Sequence, residues 1–251
     1  MEKQVLVSVV MPAYNAEPYI RTAIESVLEQ DVPLELFVID DCSTDRTAEI
    51  VGQYTPGRPG KQVFLIRNKS NLGAAESRNT GIRRAQGKYT AFLDADDWWD
   101  KGKLKAQCQL LGQTGRALCC TGRELVDPEG TPLGKVIGVP GQITYQMLLH
   151  TNSIPCSSVV METAIAQEFY MCRSDLHEDY ILWLRVLEKY GAACGVNQPM
   201  LKSRMSKGGK SRNKLKSAKM QFGVYRYLGF SLFKSCRYFL SYAFHGVRKY
   251  V

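Results

Sequence analysis

Tyr89-Thr90-Ala91-Phe92-Leu93-Asp94-Ala95-Asp96-Asp97-Trp98-Trp99 is the stretch on which the reading of the chain turns. An apolar run of the kind found in strands buried on both faces ends in three carboxylates within four positions, and two tryptophans follow. Such a cluster is costly unless something positive sits on it. Alternate residues of a strand share a face, so an extended backbone turns Asp94 and Asp96 to one side. That pair suits a hard divalent cation, Mg²⁺ or Mn²⁺, with water and a phosphorylated substrate filling its other positions. The plainer reading is an acidic loop at a strand end that caps the next helix.

Upstream, Val5 to Met11 is another continuous β-rich run, stopped by Pro12-Ala13-Tyr14-Asn15, and Ile20, Ala23, Ile24, Val27 and Leu28 then recur at helical spacing. Leu34 to Ile39 is a second strand ending in Asp40-Asp41, after which Ser43-Thr44-Asp45 offers helix-capping side chains. Val63 to Ile66 reads as a strand and Ala74 to Ala85 as a helix, and Gly87 releases the chain into the acidic strand. Strands alternating with helices predict an α/β sandwich on a mostly parallel sheet. In such sheets ligands collect at the carboxyl ends of the strands, where Pro12 to Asn15, Asp40-Asp41 and Asp94 to Asp97 all fall. No GxGxxG follows the first strand and no GxxxxGK(S/T) occurs, which argues against dinucleotide cofactors and P-loop nucleotide hydrolysis.

At 251 residues, 45% hydrophobic and 23% charged, the chain has ordinary globular composition and enough length for one large domain or two small ones. Its eight cysteines lack the spacing of a zinc site and read as reduced core thiols. The first apolar run is too short for a secretory or membrane-spanning segment, so a cytoplasmic location is expected. Charge is unevenly placed. All 24 acidic residues lie at or before Glu188, against 19 basic ones there, while residues 189–251 carry 14 basic side chains and no acid.

Four blocks carry a resemblance: Val-Ser-Val-Val-Met-Pro-Ala-Tyr-Asn (7–15), Val-Ile-Asp-Asp-Cys-Ser-Thr-Asp (38–45), Asn-Leu-Gly-Ala-Ala-Glu-Ser-Arg-Asn-Thr-Gly (71–81) and Phe-Leu-Asp-Ala-Asp-Asp (92–97). In order and spacing they resemble the inverting family 2 glycosyltransferases with the GT-A fold, a Rossmann-like α/β/α sandwich. The resemblance implies that Asp41 reads the nucleobase, usually uracil, beside the backbone of Pro12, Ala13 and Tyr14. It implies that Arg78 and Asp94 hold base and ribose, and that Asp96, with Asp94 and Ala95 next to it, takes the metal on the diphosphate. A carboxylate accepting from a ring N–H is chemically sensible for Asp41. The simpler alternatives are an Asp41 that caps the helix after Ser43 and an Arg78 that is a solvated helix charge.

His177-Glu178-Asp179-Tyr180 opens a helix with Ile181, Leu184, Val186 and Leu187 on its apolar face. Acids in a first turn are stabilised by free N–H groups and the helix dipole, which by itself accounts for Glu178 and Asp179. The resemblance gives a sharper reading: Glu178 and Asp179, with Trp183 four residues on, look like the family's acceptor motif, and Asp179 becomes the general base. It would take the proton of an acceptor hydroxyl attacking the anomeric carbon, so that one displacement inverts that centre. Asn152-Ser153 reads as a loop with an acceptor contact as the alternative. The basic stretch from Lys202 to Arg212 resembles in position the family's loop over the donor, with Arg204 or Lys210 reaching the diphosphate; a surface linker accounts for it equally well.

From Leu215 the pattern is helical, with Leu232, Phe233, Cys236, Leu240, Phe244, Val247 and Val251 on one stripe and Lys234, Ser241, His245, Arg248 and Lys249 on another. Tyr225, Tyr227, Tyr238, Tyr242 and Tyr250 add rings of interfacial type. A basic, aromatic-rich amphipathic helix predicts a membrane surface. Packing on the catalytic body or on a second subunit, as in a homodimer, is the alternative, and nucleic acid fits the upstream motifs poorly. The expected organisation is a GT-A catalytic domain over 1–201, with a nucleotide-sugar half at 1–100 and an acceptor half at 101–201, then a basic loop and amphipathic C-terminal helices over 202–251. The expected function is metal-dependent transfer from a nucleotide-diphosphate sugar, UDP-linked, to a glycan or lipid-linked acceptor of bacterial surface polysaccharide, at the cytoplasmic face of the inner membrane. A sugar nucleotidyltransferase competes but needs a glycine-rich basic loop after the first strand; a non-catalytic nucleotide-sugar-binding protein has no use for both Asp96 and Asp179.

Overall fold

The computed structural model describes residues 5–205 and 214–250, with Lys214 and residues 245–250 described by backbone alone. The chain begins β1 (Val7–Ala13), α1 (Ile20–Leu28), β2 (Leu34–Asp40), α2 (Thr47–Gly52), β3 (Gly57–Arg58), β4 (Lys61–Arg67), α3 (Gly73–Arg84) and β5 (Tyr89–Phe92). It continues with β6 (Trp98–Trp99), α4 (Lys103–Thr114), β7 (Leu118–Val126), β8 (Pro132–Ile137), β9 (Gln142–Ile143), α5 (Tyr145–His150), β10 (Val160–Glu162) and α6 (Thr163–Phe169). Then come α7 (Glu178–Tyr190), β11 (Ala193–Arg204), α8 (Lys214–Tyr227) and α9 (Leu232–Tyr250).

One sheet runs β3-β4-β2-β1-β5-β10-β7-β11-β6. Its first half is the expected parallel sheet: β4, β2, β1 and β5 pair in parallel, and the strand order reverses at β1. Ligands bind at such a reversal. Beyond it the sheet is mixed, because β10 enters antiparallel between β5 and β7 while β7 and β11 pair in parallel.

The continuous apolar strands are explained by burial on both faces. Val10, Ile39 and Phe92 face one core with Ile82 of α3 and Trp183 of α7, and Val9, Met11, Val38 and Ala91 face another with Ile20, Ile24 and Val27 of α1. Gly81 lets α3 lie this close to the sheet, since a Cβ there would stand 2.5 Å from a Val10 methyl. That approach sets the depth of Arg78, one turn earlier on the same helix.

The acidic strand is shorter than the sequence implies. β5 stops at Phe92, and Asp94 to Asp97 form a turn closed by the Asp97 amide donating to the Asp94 carbonyl at 3.1 Å. Carboxylates inside a ladder would be desolvated and unpaired, whereas the turn leaves Asp94 and Asp96 half-buried and gives buried Asp97 a backbone donor. Ser157 and Ser158 lie in a 3₁₀ turn before β10. Lys202 to Arg204, expected in a loop, close β11 beside β7.

Candidate active site

The site lies at the carboxyl ends of β1, β2 and β5. All eight residues expected at the donor, Pro12, Ala13, Tyr14, Asp41, Arg78, Asp94, Ala95 and Asp96, line one cleft of about 420 Å³ together with Tyr19, Ala74 and Glu178. The loops leaving β1 and β2 are laced together: Asn15 donates its amide to Ser43 Oγ and accepts from the Thr44 amide, and Ala16 donates to Thr47 Oγ1. Asn15 and Cys42 take left-handed backbones, at φ 48° and 67°, where the two strands release the chain. Such conformations persist where surrounding structure over-determines them.

Asp41 is buried and caps α3 rather than the helix after Ser43. Its Oδ1 accepts from Asn68 Nδ2 at 2.8 Å and the Leu72 amide at 2.9 Å, and its Oδ2 accepts from the Gly73 amide at 2.8 Å. A carboxylate has about four acceptor positions, so about one remains for a donor in the cleft.

Arg78 is the centre of the arrangement. Its guanidinium is buried and donates to Asp94 Oδ1 at 2.5 Å and to Glu178 Oε1 at 3.2 Å. Burial, the largest influence on it, works against the charge, but Asp94 and Glu178 outweigh that and hold its pKa well above the ordinary value. Asp96, half-buried on the same turn, is pushed up to about 6, first by desolvation and then by the charge of Asp94. Asp97 lines an adjoining cavity rather than this cleft, accepts from the Arg204 amide at 2.9 Å and is raised well above the carboxylate range by burial.

The residues fit a divalent cation by donor chemistry. Asp96 is a desolvated carboxylate with no ion pair among the described residues, and Asp94 beside it offers further oxygen. No group of three or more His, Cys, Asp and Glu side chains is assembled for a metal among the described residues, so such an ion would draw most of its ligands from substrate and water.

A second cavity of about 370 Å³ adjoins the cleft, sharing Arg78, Asp94 and Glu178 and adding Asp179, His177, Asn152, Cys156, Ser157 and Tyr242. Asp179 sits in the first turn of α7, and burial foremost, then Glu178, raises its pKa from the ordinary value. Asn152 lies in a loop, as its sequence suggests, and that loop forms part of the cavity wall. Trp183 is not there: it is fully buried against Phe92, with ring centres 5.8 Å apart. On α7 a residue four positions from Asp179 shares its face but lies a turn deeper in the core.

Arg204 also departs from expectation. Its Nε donates to the Asp96 carbonyl at 2.9 Å and its Nη1 to the Pro128 carbonyl at 2.5 Å, with the guanidinium over the rings of Tyr19 and Trp98 at 4.6 and 5.0 Å. Those donors are spent on backbone, so the group clamps the acidic turn instead of projecting into the cleft. Lys210 lies outside the described residues. Ser157 was invisible to sequence reasoning: its Oγ accepts from the Asp94 amide at 3.1 Å, and its carbonyl accepts from Trp99 Nε1 at 2.7 Å. A larger cavity of about 720 Å³ opens at the amino ends of β2 and β4, the end of the sheet away from these groups.

Comparison with known proteins defines the class. The model of glycosyl transferase family 2 matches residues 8–169, and the chain belongs to that family. It is a glycosyltransferase with the GT-A fold. It is 37% identical over 246 residues to the putative teichuronic acid biosynthesis glycosyltransferase TuaG of Bacillus subtilis, covering 97% of both chains. It is 34% identical over 248 residues to the Escherichia coli UDP-Glc:alpha-D-GlcNAc-diphosphoundecaprenol beta-1,3-glucosyltransferase WfgD, covering 98% of this chain and 95% of that one. Among solved structures it superposes on S. aureus TarS 1-349 in complex with UDP-GlcNAc at a TM-score of 0.72 and 22% identity, over 88% of this chain and 65% of that one. The mannosyltransferase PcManGT of Pyrobaculum calidifontis, in complex with GDP-Man and Mn2+, gives 0.70 at 18% identity over 90% of this chain and 64% of that one.

Proposed function

We propose that the protein transfers a hexosyl group, with inversion, from a UDP-sugar to a hydroxyl of a lipid-linked glycan during synthesis of a bacterial surface polysaccharide. The observation that carries this is the adjacency of the two cavities. Asp41 and Asp96 line one, Asp179 lines the other, and Arg78, Asp94 and Glu178 form the wall they share. A donor in the first and an acceptor in the second would meet at that wall. The relatives named for teichuronic acid and for a diphosphoundecaprenol acceptor support the acceptor class, and the UDP-GlcNAc complex of a protein with this fold supports the donor.

In this mechanism the backbone of Pro12 to Tyr14 and the remaining acceptor position of Asp41 take the nucleobase, and Arg78 fixes Asp94 beside the ribose. Asp96, with Asp94, would hold Mn²⁺ or Mg²⁺, which when bound neutralises charge on the departing diphosphate. Asp179 removes the proton of the attacking hydroxyl, and its raised pKa brings it nearer the value at which a base is efficient. Glu178 keeps Arg78 in place, and no covalent nucleophile is needed. The membrane partner of a lipid-linked acceptor is taken to be the cytoplasmic leaflet, with residues 202–251 as the peripheral region; no helix among the described residues is long and apolar enough to cross a membrane.

A thermal-shift screen of nucleotide sugars with and without Mn²⁺ tests the reading. UDP-sugars should stabilise the protein only with metal, Asp96→Ala should abolish the effect, and Asp179→Ala should keep it while turnover falls by roughly 10²–10⁴-fold. Metal-independent stabilisation, or an active Asp179→Ala enzyme, would refute it.

A further inference from the structure

The C-terminal helix faces the wrong way for an ordinary surface helix. At 3.6 residues per turn, Phe233, Leu240 and Phe244 share one stripe of α9, and they are 82%, 69% and 61% exposed. The opposite stripe is the one that packs. Tyr238 lies against His150 of α5 and Tyr225 of α8, Phe239 against Phe222, and Tyr242 against Tyr180 of α7. Tyr225, Tyr238 and Tyr242, expected at a membrane interface, therefore serve the protein interior, with Tyr225 fully buried and donating to the Leu149 carbonyl. The outer stripe is flanked by exposed Lys234 and Arg237, in a region without a single acidic residue. Large exposed apolar side chains gathered on one face mark a binding surface, and a surrounding of one positive sign selects an anionic one.

We propose that α9 lies in the plane of an anionic bilayer through Phe233, Leu240 and Phe244, and that this docking sets the mouth of the Asp179 cavity at the lipid surface. The second part follows from Tyr242, which lines that cavity two residues from both Leu240 and Phe244. Two positions on a helix are about 200° apart, so the cavity wall and the lipid-facing stripe are separated by the width of one helix, roughly 10–12 Å. An acceptor whose headgroup projects from a membrane would reach Asp179 over that distance without leaving its leaflet. This deepens the transferase reading and rests on it for the acceptor alone.

The full chain is sedimented with phosphatidylcholine vesicles, with and without phosphatidylglycerol, and compared with the triple variant Phe233→Ser, Leu240→Ser, Phe244→Ser and the double variant Lys234→Gln, Arg237→Gln. Wild type should bind the anionic vesicles, the triple variant at least about a hundredfold less tightly, and the double variant roughly tenfold less tightly or more, on anionic vesicles only. Undiminished binding by the triple variant overturns the proposal. So does a wild-type dimer that ignores vesicles and that the triple variant splits, since a second copy would then own the stripe. Stabilisation by UDP-sugar and Mn²⁺, read on the same preparations, should persist in both variants and shows that they are folded. Its absence from wild type would sink the transferase reading while the vesicle result stood on its own.

Discussion

Arg78 and Lys103 are both buried cations, and the chain treats them in opposite ways. Arg78 meets two carboxylates, Asp94 and Glu178, contributed by a turn and a helix remote in sequence. Lys103, first residue of α4, meets none: its Nζ lies 4.0 Å from the centre of the Trp99 ring and has no hydrogen-bond partner among the described residues. Burial is the leading influence on both, and the outcomes diverge because of the partners. The guanidinium stays charged, whereas the lysine is pushed down to about 7. A guanidinium cannot shed its proton in a protein and a lysine can. The difference shows where the fold needs a fixed positive charge, at the wall between the two cavities, and where it only needs a long apolar stem filling a core.

The largest effect is expected at the paired cation. Arg78→Met leaves Asp94 and Glu178 without their counter-charge and should cost about 3–5 kcal/mol, read from urea unfolding. UDP-sugar stabilisation should vanish with it. A loss under about 1 kcal/mol would mean the two carboxylates relax into water, and the contrast with Lys103 would fail.

Removing the unpaired cation should do the reverse. Lys103→Met is expected to stabilise the protein at pH 7 by roughly 2–4 kcal/mol, because a lysine held at about 7 rather than 10.5 forfeits up to about that much at neutrality. Between those two values the unfolded chain binds the proton that the folded chain has released, so wild-type stability rises with pH. The advantage of the variant should therefore shrink from pH 7 and be gone near 10.5. A variant less stable at pH 7 would show instead that the contact with Trp99, worth up to about 2 kcal/mol when desolvated, outweighs the burial.

These two residues also mark what the sequence can and cannot disclose. Strands such as Val7 to Met11 announce themselves because a strand buried on both faces needs apolar residues in succession, and the residues lining the cleft follow because short motifs sit at strand ends. The partners of Arg78 lie 16 and 100 positions away, a distance that no local pattern encodes. Lys103 reads as an ordinary charge at a helix start, and only the packing of Trp99 beneath it takes it out of water. Ser157 is equally mute, since its role is to accept from one backbone amide. Trp183 shows the same limit: helical spacing places it on the side of Asp179 but says nothing of its depth behind the cavity.

Arg204 is a third case, a cation satisfied by carbonyls and rings without a carboxylate in hydrogen-bond contact among the described residues. It should accordingly fall below both others in effect. Arg204→Ala should destabilise by about 1–3 kcal/mol as the carbonyls of Asp96 and Pro128 lose their donor. Because the acidic turn then loses its side-chain clamp and keeps only Arg78, Ser157, the residue 204 amide and its own closure, more Mn²⁺ should be required for half-maximal UDP-sugar stabilisation. Arg204→Lys, with one point donor in place of a fork, should recover stability better than the metal requirement. Equal recovery of both would reduce Arg204 to a packing residue.

The smallest change trims the paired cluster by one charge. Glu178 is the leading neighbour raising the pKa of Asp179, while Arg78 pulls it down. Glu178→Gln removes the first influence and frees Arg78 to exert more of the second, so both act in one direction. Asp179 must be ionised to accept a proton, and the acid limb of the rate profile follows its pKa. That limb should move to lower pH by up to about one unit, with UDP-sugar binding kept. A limb that stays put would mean that Asp179 is not the titrating base, and one that moves upward would mean that Glu178 acts on it chiefly by positioning Arg78.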